Sequence, residues 1–463
     1  MSHKSSESDK SISFDQIRKI TENSTSVIHF IGVGGVSMYS LARLTMLSSA
    51  KVSGSDRESS ERTRNLAGIG AKIYIGHNGE NVSGATLAVY THAIAPDNDE
   101  LVYARQHAIP TVSRAEFLGA LMQRYKRRIG VSGSHGKSTT VAMLDKIMSL
   151  AGVSPTVLSG AELDNGLPFK EGATGLMIYE SCEYKDSFLR FLPTISVGLN
   201  LELDHTDYFE DLADIQRSFR HALGKATDFA VINGDDVNLA PLQDKLKPRV
   251  VTFGAGERNT YRYEITAFRE EGFEFTLSKF GSVIGRFFLG IPGSFNVSNA
   301  TAAIVTAIEY GVDVDIIRQA IAEFSGVPRR LEYIGQRGNR AVYYDYAHHP
   351  TEIAASVDAL KMLTHQPLTV IFKPHTYSRT QSLWQEFCTS LKNADYLILT
   401  DIYPAREPPI EGITSERMAH EIGKKAKYCR DEDVLNVLDF NTRGAIVIMG
   451  AGDMEFIKKE VLK

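Results

Sequence analysis

The amino-acid sequence predicts an α/β protein of three domains with mostly parallel sheets. Three observations predict this fold. From Val27 onward, an apolar strand, a glycine-rich or polar turn and an apolar helix recur along the chain, which is the pattern of α/β units. The pattern restarts twice, at the basic stretch 126–128 and again near residues 325–328. The length of 463 residues also leaves room for about two to four domains of typical size.

We therefore divide the chain into a leader and three domains. The leader covers residues 1–24, is polar and Ser-rich at its start, and is expected to contain at most one short helix. The domains cover residues 25–125, 126–325 and 326–463. No short repeat, heptad pattern or low-complexity tract interrupts this division in the sequence.

Composition narrows the class of function. The net charge of −5 disfavours a general nucleic-acid binder, although a local cradle can still bind an anionic small molecule. The three cysteines, Cys182, Cys388 and Cys429, are too far apart in sequence to indicate a disulfide framework or a zinc site. The sequence has neither a signal-peptide pattern nor an apolar run long enough to span a bilayer. These features predict a cytoplasmic protein.

Polar or glycine residues follow most of the predicted strands. Because open α/β sheets bind ligands at the carboxyl ends of their strands, these residues are expected to line a cleft. The pairs of strand and following residue are 27–31 with Gly32, 176–179 with Glu180, 195–199 with Asn200, 342–344 with Asp345, 369–372 with Lys373, and 446–449 with Gly450.

The strongest local motif is a glycine-rich loop that begins at Gly130 and reads GVSGSHGKSTT. An apolar strand precedes it, and a helix with apolar residues at period 3.6 follows it, with Gly152 as a stop. Backbone amides and the helix N-terminus favour phosphate oxygens, Lys137 supplies charge, and the Ser138 hydroxyl is a magnesium ligand in such loops. Val131 replaces the usual first glycine. The predicted phosphate-binding residues are Gly133, Ser134, His135, Gly136, Lys137, Ser138 and Thr139.

Two acidic segments are candidates for a nucleotide-bound Mg²⁺, which prefers hard oxygen ligands. Glu180 ends one predicted strand, and the segment 200–207 with His205 follows the next. The structural alternative is a helix N-cap for Asp204 or Asp207 and a surface or core role for His205.

A second glycine loop, near the N-terminus, resembles a dinucleotide-binding turn. Gly32, Gly34 and Gly35 follow a strand, and Asp56 ends the next strand. Ser37 stands where the third glycine of that motif is expected, so the match to the motif is weak. Because a UDP-sugar carries the same pyrophosphate as a nicotinamide cofactor, either could be the ligand. The candidate set for this site also includes His92.

Taken in this order, the motifs resemble those of the Mur ligase family over nearly the whole chain. The resemblance implies Rossmann-like N- and C-terminal domains around a central P-loop ATPase-like domain. The motifs are the Gly32 loop, the Gly130 loop, residues 180–189, 200–207, 292–296 with Asn299, 328–332, 345–352, 374–380 and 401–407.

The resemblance implies an activity: ATP-dependent joining of L-alanine to UDP-N-acetylmuramate through an acyl phosphate, in peptidoglycan precursor synthesis. The first domain would bind the UDP part, the central domain ATP, and the third domain the amino acid. ATP would also contact Asn296, Asn299, Arg330 and Asp345. Two Mg²⁺ ions would be held by Ser138, Glu180 and His205, and the muramyl carboxylate and alanine would face His348, His375 and Arg379. The catalytic set is Lys137, Glu180, His205, Asp345 and His348.

Some residues depart from the family pattern or have structural alternatives. Phe295 replaces a frequent histidine, so it is not assigned a polar contact. Thr376 replaces a frequent arginine, which leaves open how the substrate carboxylate is held. The pair His348 and His349 could cap a helix, and Arg379 could be a surface charge. Trp384 and Phe387 are predicted to be helix core.

Three other functions remain open at this stage. They are a Mur-type ligase that attaches a preformed peptide, a nicotinamide oxidoreductase built on the Gly32 loop, and a non-catalytic sensor of UDP-sugars or ATP. The preference among alanine, glycine and serine is open too. We expect a monomer or homodimer that binds neither nucleic acid nor membrane.

Overall fold

The structure is a computed structural model that describes residues 12–206, 208–269, 272–438 and 443–463. In that part of the chain the strands form three sheets, and most pairings between neighbouring strands are parallel. The predicted three-domain α/β class is therefore confirmed. None of the helices in those ranges has the length and hydropathy needed to cross a bilayer.

The first sheet has strand order β3-β2-β1-β4-β5 and is parallel throughout. This is the order of a dinucleotide-binding half. Its strands are β1 (Val27–Ile31), β2 (Lys51–Asp56), β3 (Lys72–Ile75), β4 (Leu87–Tyr90) and β5 (Thr111–Ser113). The helices of this region are α1 (Phe14–Thr21), α2 (Val36–Met46), α3 (Glu61–Gly68), α4 (Asp99–Gln106) and α5 (Arg114–Leu121).

Part of the predicted leader is an ordered helix. Residues 1–11 lie outside the described residues, and α1 begins after Ser13, whose side chain forms a capping box with Gln16. Ile17 is fully buried, and the Thr21 hydroxyl accepts a hydrogen bond of 2.7 Å from Arg124. The second half of the leader therefore belongs to the packed protein.

The second sheet has strand order β15-β14-β13-β12-β11-β10-β6-β9-β7-β8. Its strands are β6 (Arg127–Ser132), β7 (Thr156–Leu158), β8 (Phe169–Lys170), β9 (Leu176–Glu180), β10 (Ile195–Gly198), β11 (Phe229–Asn233), β12 (Arg249–Gly254), β13 (Tyr261–Arg269), β14 (Gly272–Lys279) and β15 (Ser282–Leu289). The associated helices are α6 (Lys137–Leu150), α7 (Leu212–Leu223), α8 (Phe295–Tyr310) and α9 (Val314–Ala322). The pairs β13–β14 and β14–β15 are antiparallel, a meander that the sequence analysis did not predict.

The third sheet has strand order β16-β17-β21-β18-β19-β20, in which only the β16–β17 pairing is antiparallel. Its elements are β16 (Glu332–Arg337), β17 (Arg340–Asp345), α10 (Pro350–Thr364), β18 (Leu368–Phe372), α11 (Tyr377–Ser382), α12 (Trp384–Leu391), β19 (Tyr396–Leu399), α13 (Ser415–Ile422), β20 (Ala426–Tyr428), α14 (Val434–Val437), β21 (Ala445–Met449) and α15 (Glu455–Leu462). Short 3-10 helices lie at Gly79–Val82, Met122–Arg124, Tyr184–Arg190, Ala240–Lys245 and Asp431–Asp433.

Continuous apolar runs form the inner strands, as expected for sheets covered on both faces. β18 and β21 are buried along their whole length, and Trp384 and Phe387 pack into the core beside them. The prediction that these two aromatic residues are helix core is confirmed. None of the three cysteines forms a disulfide in the described part of the chain.

The chain forms two compact units. One consists of the described residues up to Ser132 with Val153–Ser196 and His221–Ala230, and the other of Gly133–Gly152, Val197–Arg220 and the described residues from Val231 onward. The phosphate loop from Gly133 and all the candidate residues beyond His205 belong to the second unit. The Gly32 loop and Glu180 belong to the first.

Candidate functional site

The phosphate loop in the second unit is held by Asn200, which lies two residues beyond the end of β10. The side-chain oxygen of Asn200 accepts a hydrogen bond of 2.8 Å from the backbone N–H of His135, and its amide donates to the His135 carbonyl at 3.1 Å. One asparagine thus fixes both backbone groups of the same loop residue. The Ser134 hydroxyl adds a contact by accepting from the Glu202 backbone N–H at 2.8 Å.

The loop ends in a left-handed glycine, and α6 begins directly after it. Gly136 has φ +82°, and a Cβ at this position would lie 2.3 Å from Oδ1 of Asn299. Only glycine can adopt this backbone torsion readily and also fit beside Asn299 without a steric clash. The Lys137 ammonium contacts the carbonyls of Gly133 and Ser134, so its side chain folds over its own loop.

A cavity of about 300 Å³ opens beside this loop, and its whole wall belongs to the second unit. That volume is within the range of small-molecule sites. Predicted ATP-binding residues in its wall are His135, Gly136, Ser138, Thr139, Asn296, Asn299, Arg330 and Asp345. The structure thus brings residues of the predicted central domain, 126–325, and of the predicted C-terminal domain, 326–463, to one cavity. Gly133, Ser134 and Lys137 are in the same loop but are not among the lining residues.

The N-terminal turn of α8 contributes two ordered amides to the cavity. Asn296 donates to the Pro292 carbonyl at 2.7 Å, and its oxygen accepts from the Asn299 amide at 3.1 Å. Both side chains are buried. Phe295 also lines the cavity and is 38% exposed, so an apolar ring stands where a histidine is frequent in the resembled family.

The ring of His135 lies between two carboxylates. Its Nε2 is 3.2 Å from Glu202 and its Nδ1 is 3.1 Å from Glu352. Burial lowers the pKa of His135, but Glu352 and Glu202 together outweigh this effect and raise that pKa to about 10. The imidazole is therefore a cation at neutral pH, and it partly neutralises both acids.

The same region holds a group that could be taken for a metal site. Ligand atoms of His135, Glu202 and His349 lie within 4.8 Å of one another. However, Nδ1 of His135 also lies 3.1 Å from Glu352, and Glu202 accepts a hydrogen bond of 2.8 Å from the Thr351 hydroxyl. We therefore interpret the group as a network of hydrogen bonds and ion pairs.

Asp345 and Arg330 close the cavity from the side of the third sheet. Asp345 ends β17, is 3% exposed, and accepts hydrogen bonds from the Ser356 hydroxyl and the Ala347 N–H. Burial raises the pKa of Asp345 to about 6, although the Ser356 hydrogen bond opposes the shift. The guanidinium of Arg330 lies 4.9 Å from the centre of the Tyr346 ring.

His348 is a neutral imidazole whose tautomer follows from its partner. Its Nδ1 lies 3.0 Å from the Tyr346 carbonyl, which only accepts hydrogen bonds, so Nδ1 carries the proton and Nε2 is the free acceptor nitrogen. Burial and the Arg379 charge lower the pKa of His348 to about 3, although Glu352 opposes them. The capping alternative is correct for its neighbour, since His349 is the N-cap of α10.

The remaining predicted acceptor-site residues lie together. The His348 and His375 rings are 6.2 Å apart, and His375 Nδ1 is 3.4 Å from the Arg379 guanidinium. Arg379 donates to the Asp204 carboxylate at 3.1 Å and is largely buried, so it is not a simple surface charge. Burial, followed by Arg379, lowers the pKa of His375 to about 4. Nε2 of His205 lies 3.8 Å from Asp204.

Asp207, which was also considered as a helix N-cap, lies outside the described residues.

Several residues around this cavity adopt a left-handed backbone that disfavours side chains. Arg329 and Leu331, on either side of Arg330, have φ +62° and +48°, His205 has φ +55°, and Thr376 has φ +66°. Such torsions cost on the order of 1–3 kcal/mol each and cluster at functional sites. Thr376, one of the departures from the family pattern, is here the N-cap residue of α11.

Glu180 lies in the first unit, at the end of β9. Its carboxylate accepts hydrogen bonds from the Gly160 N–H and, at 3.4 Å, from the Ser159 hydroxyl. The register pairs Glu180 with Val131 of β6, the strand that leads along the chain into the phosphate loop.

The Gly32 loop, also in the first unit, is built from backbone hydrogen bonds. Gly32 has φ +82°, and the N–H groups of Gly32 and Val33 both donate to the Ser55 carbonyl at 2.9 Å. The Asp56 carboxylate accepts from the Gly34 N–H at 2.8 Å, and a Cβ on Gly34 would meet that carboxylate. Asp56 therefore shapes the loop itself.

The helix α2 begins beside this loop with its first amides uncapped by a side chain. Gly35 is its N-cap, and Ser37 lies exposed in the first turn, so the missing third glycine does not prevent the helix from forming. A helix start of this kind favours an anion. His92 follows β4, which pairs with β1, and burial followed by the Lys185 charge lowers the pKa of His92.

Beneath the loop lies a buried acid that the sequence analysis did not single out. Glu100 has no solvent exposure and accepts hydrogen bonds from the Ser55 hydroxyl at 2.6 Å and the Asn81 amide at 2.8 Å. His77 Nδ1 is 3.1 Å away. Burial would raise the pKa of Glu100, but His29, whose Nε2 lies 3.8 Å away, and the hydrogen bonds from Ser55 and Asn81 lower it to about 2.

We expect Glu100 to make stability depend on acid pH. Its folded-state pKa of about 2 lies below its ordinary value of 4.5, so the stabilisation is fully present above the ordinary value and is lost as pH falls through the folded-state pKa. The shift corresponds to about 3 kcal/mol of unfolding free energy.

Urea unfolding followed by circular dichroism across the acid pH range should show this loss of unfolding free energy in the wild type. In Glu100→Gln the unfolding free energy should depend less on pH. Equal acid dependence in both proteins would contradict the assignment, and the exposed Glu80→Gln is the control.

Sequence reasoning did not assign an individual role to three residues that line the cavity, Asn200, Glu202 and Glu352. Asn200 was expected to line a cleft because it follows a predicted strand, and Glu202 lies in the acidic segment 200–207, but the contacts of both with the phosphate loop were not predicted. For Glu352 a signal existed, because a proline at the first helical position and a glutamate at the third mark a helix start. That start follows a strand end, where ligands bind.

Models of three protein families match successive parts of the chain. They are the Mur ligase family catalytic domain at residues 27–126, the Mur ligase middle domain at 131–307, and the Mur ligase glutamate ligase domain at 329–452. The chain is 40% identical over 446 residues to a UDP-N-acetylmuramate–L-alanine ligase from Clostridium novyi, an alignment that covers 92% of this chain and 95% of that protein.

Two crystal structures share the fold. A UDP-N-acetylmuramate–alanine ligase MurC from Thermotoga maritima has a TM-score of 0.80 and 27% identity, covering 94% of this chain and 98% of that one. A murein peptide ligase from Psychrobacter arcticus has a TM-score of 0.72 and 24% identity with the same coverage, which shows the fold alone. From the three matched domains and the identity over most of its length, the chain belongs to the Mur ligase family.

Proposed function

We propose that this protein uses ATP to join L-alanine to the carboxylate of UDP-N-acetylmuramate, a step of peptidoglycan precursor synthesis. The observation that carries the proposal is the cavity in the second unit, where the phosphate loop, the α8 amides and the pair Arg330 and Asp345 meet. Family membership and the name of the Clostridium novyi relative support the same reaction.

The cavity residues fit a nucleoside triphosphate. Gly136 gives the close backbone approach that phosphate oxygens need, and α6, which begins directly after it, has no side-chain cap at its N-terminus. Lys137 supplies the positive charge for the transferred phosphoryl group. Asn296 and Asn299 present amides for the base or ribose, and the exposed Phe295 ring adds an apolar face.

The donor set also fits Mg²⁺ in part. Mg²⁺ prefers oxygen ligands, and in the second unit the Ser138 hydroxyl offers one. The role of Glu180, which lies in the first unit, stays a prediction from the family resemblance. When bound, the ion would neutralise charge on the phosphates. His205 is a softer nitrogen donor, so a second ion at that residue stays a prediction from the family resemblance.

The first chemical step would transfer the γ-phosphoryl group. A muramyl carboxylate oxygen attacks γ-phosphorus, the bond to the ADP oxygen breaks, and an acyl phosphate forms. Lys137 stabilises the charge on the transferred group, and the cationic His135 offsets its two carboxylate neighbours, so the loop can accept an anion. The buried His375 and Arg379 would orient the carboxylate.

The second step would form the amide. The alanine ammonium loses a proton, its nitrogen attacks the acyl carbon, and inorganic phosphate leaves. A general base works best when its pKa is near the operating pH. Asp345, with a pKa of about 6, fits that role better than His348, whose pKa is about 3. The unprotonated Nε2 of His348 can instead accept a hydrogen bond from the amine and orient it.

The substrate's diphosphate would bind at the Gly32 loop in the first unit, at the start of α2. On this basis we propose that residues 25–125 bind UDP, 126–325 bind ATP and 326–463 bind the amino acid, preceded by a leader of residues 1–24. His92, Gly34 and Gly35 are the proposed neighbours of the UDP part. The cytoplasmic location and the monomeric or dimeric state stay predictions.

The decisive experiment is phosphate release from ATP and Mg²⁺ with UDP-N-acetylmuramate and a panel of L-alanine, glycine, L-serine and a tripeptide. We expect release that depends on all components, fastest with L-alanine. Release only with the tripeptide would favour the peptide-attaching ligase. No release, but binding of ATP or UDP-sugar, would favour a sensor, and NADH formation would favour the oxidoreductase.

A further inference from the structure

Glu352 uses both of its carboxylate oxygens on residues of the proposed active site. It is the third residue of α10, it lines the cavity, and its side chain is 13% exposed. Its Oε1 lies 3.1 Å from Nδ1 of His135 in the phosphate loop and 3.8 Å from the Arg330 guanidinium. This oxygen therefore faces two residues of the ATP-binding set.

The other oxygen faces the acceptor side. Oε2 accepts hydrogen bonds from the backbone N–H groups of His348, at 3.1 Å, and His349, at 3.4 Å. It also lies 3.3 Å from Nδ1 of the His348 ring. One short, rigid group thus contacts the phosphate loop with one atom and the proposed alanine-orienting histidine with the other.

We propose that Glu352 is a positioning residue that holds the ATP site and the acceptor site in one fixed geometry. The inference rests on the proposed function. The carboxylate is anchored by the N-terminus of α10, and Pro350 starts that helix with a fixed backbone torsion. Because ligation needs the acyl phosphate and the amine in contact, a small displacement between the two sites should slow the reaction strongly.

A purely structural role as a capping residue can be separated from this one. In Glu352→Gln, the amide oxygen can still accept from the backbone N–H groups of His348 and His349, so the cap is kept. The amide NH₂ then faces His135 and Arg330, which are themselves donors. The substitution therefore removes the contacts of residue 352 with His135 and Arg330 but keeps the hydrogen bonds at the start of α10.

Steady-state kinetics of Glu352→Gln should show a fall in kcat of about 10- to 100-fold, as expected when reacting groups are misplaced. We expect KM for ATP to rise, KM for UDP-N-acetylmuramate to stay the same, and the thermal midpoint to stay close to that of the wild type. In a double-mutant cycle with His135→Gln, the double variant should be no slower than the worse single variant. The control is Gln16→Ala, which removes the equivalent side chain from the capping box of α1 and should keep wild-type kinetics.

Wild-type kinetics in Glu352→Gln, or additive losses in the cycle, would overturn the proposal. If Glu352→Gln does not fold, His135→Gln provides the same test, since a wild-type KM for ATP in that variant would equally overturn it. Calorimetry with Mg-ATP gives a separate readout: we expect about tenfold weaker binding in Glu352→Gln, and unchanged binding would count against the bridge. Absence of ligation by the wild type would contradict the proposed function instead, while the binding comparison would still test Glu352.

Discussion

Lys137→Ala is expected to lower kcat for ATP-dependent phosphate release by about 10²–10³, the usual loss when one transition-state donor is removed. Phosphoryl transfer spreads negative charge over the transferred oxygens and needs neutralisation more than covalent help. Lys137 is the first residue of α6 and reaches the loop carbonyls that border the proposed phosphate position. Removing its ammonium should affect turnover much more than folding.

Lys146 on the same helix provides the matched control. Its ammonium pairs with Glu323 at 3.4 Å and is 30% exposed. Lys146→Ala removes an equal charge from α6 and should leave kcat near the wild-type value, with at most about 1 kcal/mol of lost stability. Near-normal turnover in Lys137→Ala, or equal losses in both variants, would contradict the ATP-site assignment.

Gly136→Ala should abolish measurable ATP binding and lower the thermal midpoint. Alanine at φ +82° costs about 1–2 kcal/mol by itself. Its Cβ would also lie 2.3 Å from Asn299, so either the loop or the α8 amide must move. Both groups border the nucleotide cavity, so the displacement should affect binding directly.

Gly152, just beyond the other end of α6, separates torsion from crowding. It has φ +73°, and nothing lies within 4 Å of a Cβ placed there. Gly152→Ala should therefore show only the torsional loss, with normal ATP affinity by calorimetry. The interpretation would be wrong if Gly136→Ala bound Mg-ATP as tightly as Gly152→Ala.

Local sequence patterns were sufficient to predict those features that are formed by residues next to one another in the chain. The strand bounds predicted from apolar runs agree within a few residues with β1, β9, β17, β18 and β21, and the helix after the phosphate loop ends at Leu150, before Gly152. Strand periodicity, glycine torsions and helix stops act between near neighbours, so a sequence records them directly. The candidate residues Asn296, Asn299, Arg330 and Asp345 came from family resemblance, and the cavity brings them together.

The sequence by itself therefore determined the α/β class, the alternation of strands and helices along most of the chain and the positions of its two glycine loops. Tertiary structure alone decided which groups distant in the chain come into contact. Asn200 hydrogen-bonds to the phosphate loop, Glu352 lies beside His135, and Asp204 pairs with Arg379. Tertiary structure also decided the antiparallel meander β13–β15. Contacts of this kind join residues far apart in the chain. They depend on how whole sheets and helices pack, and no local periodicity encodes that packing.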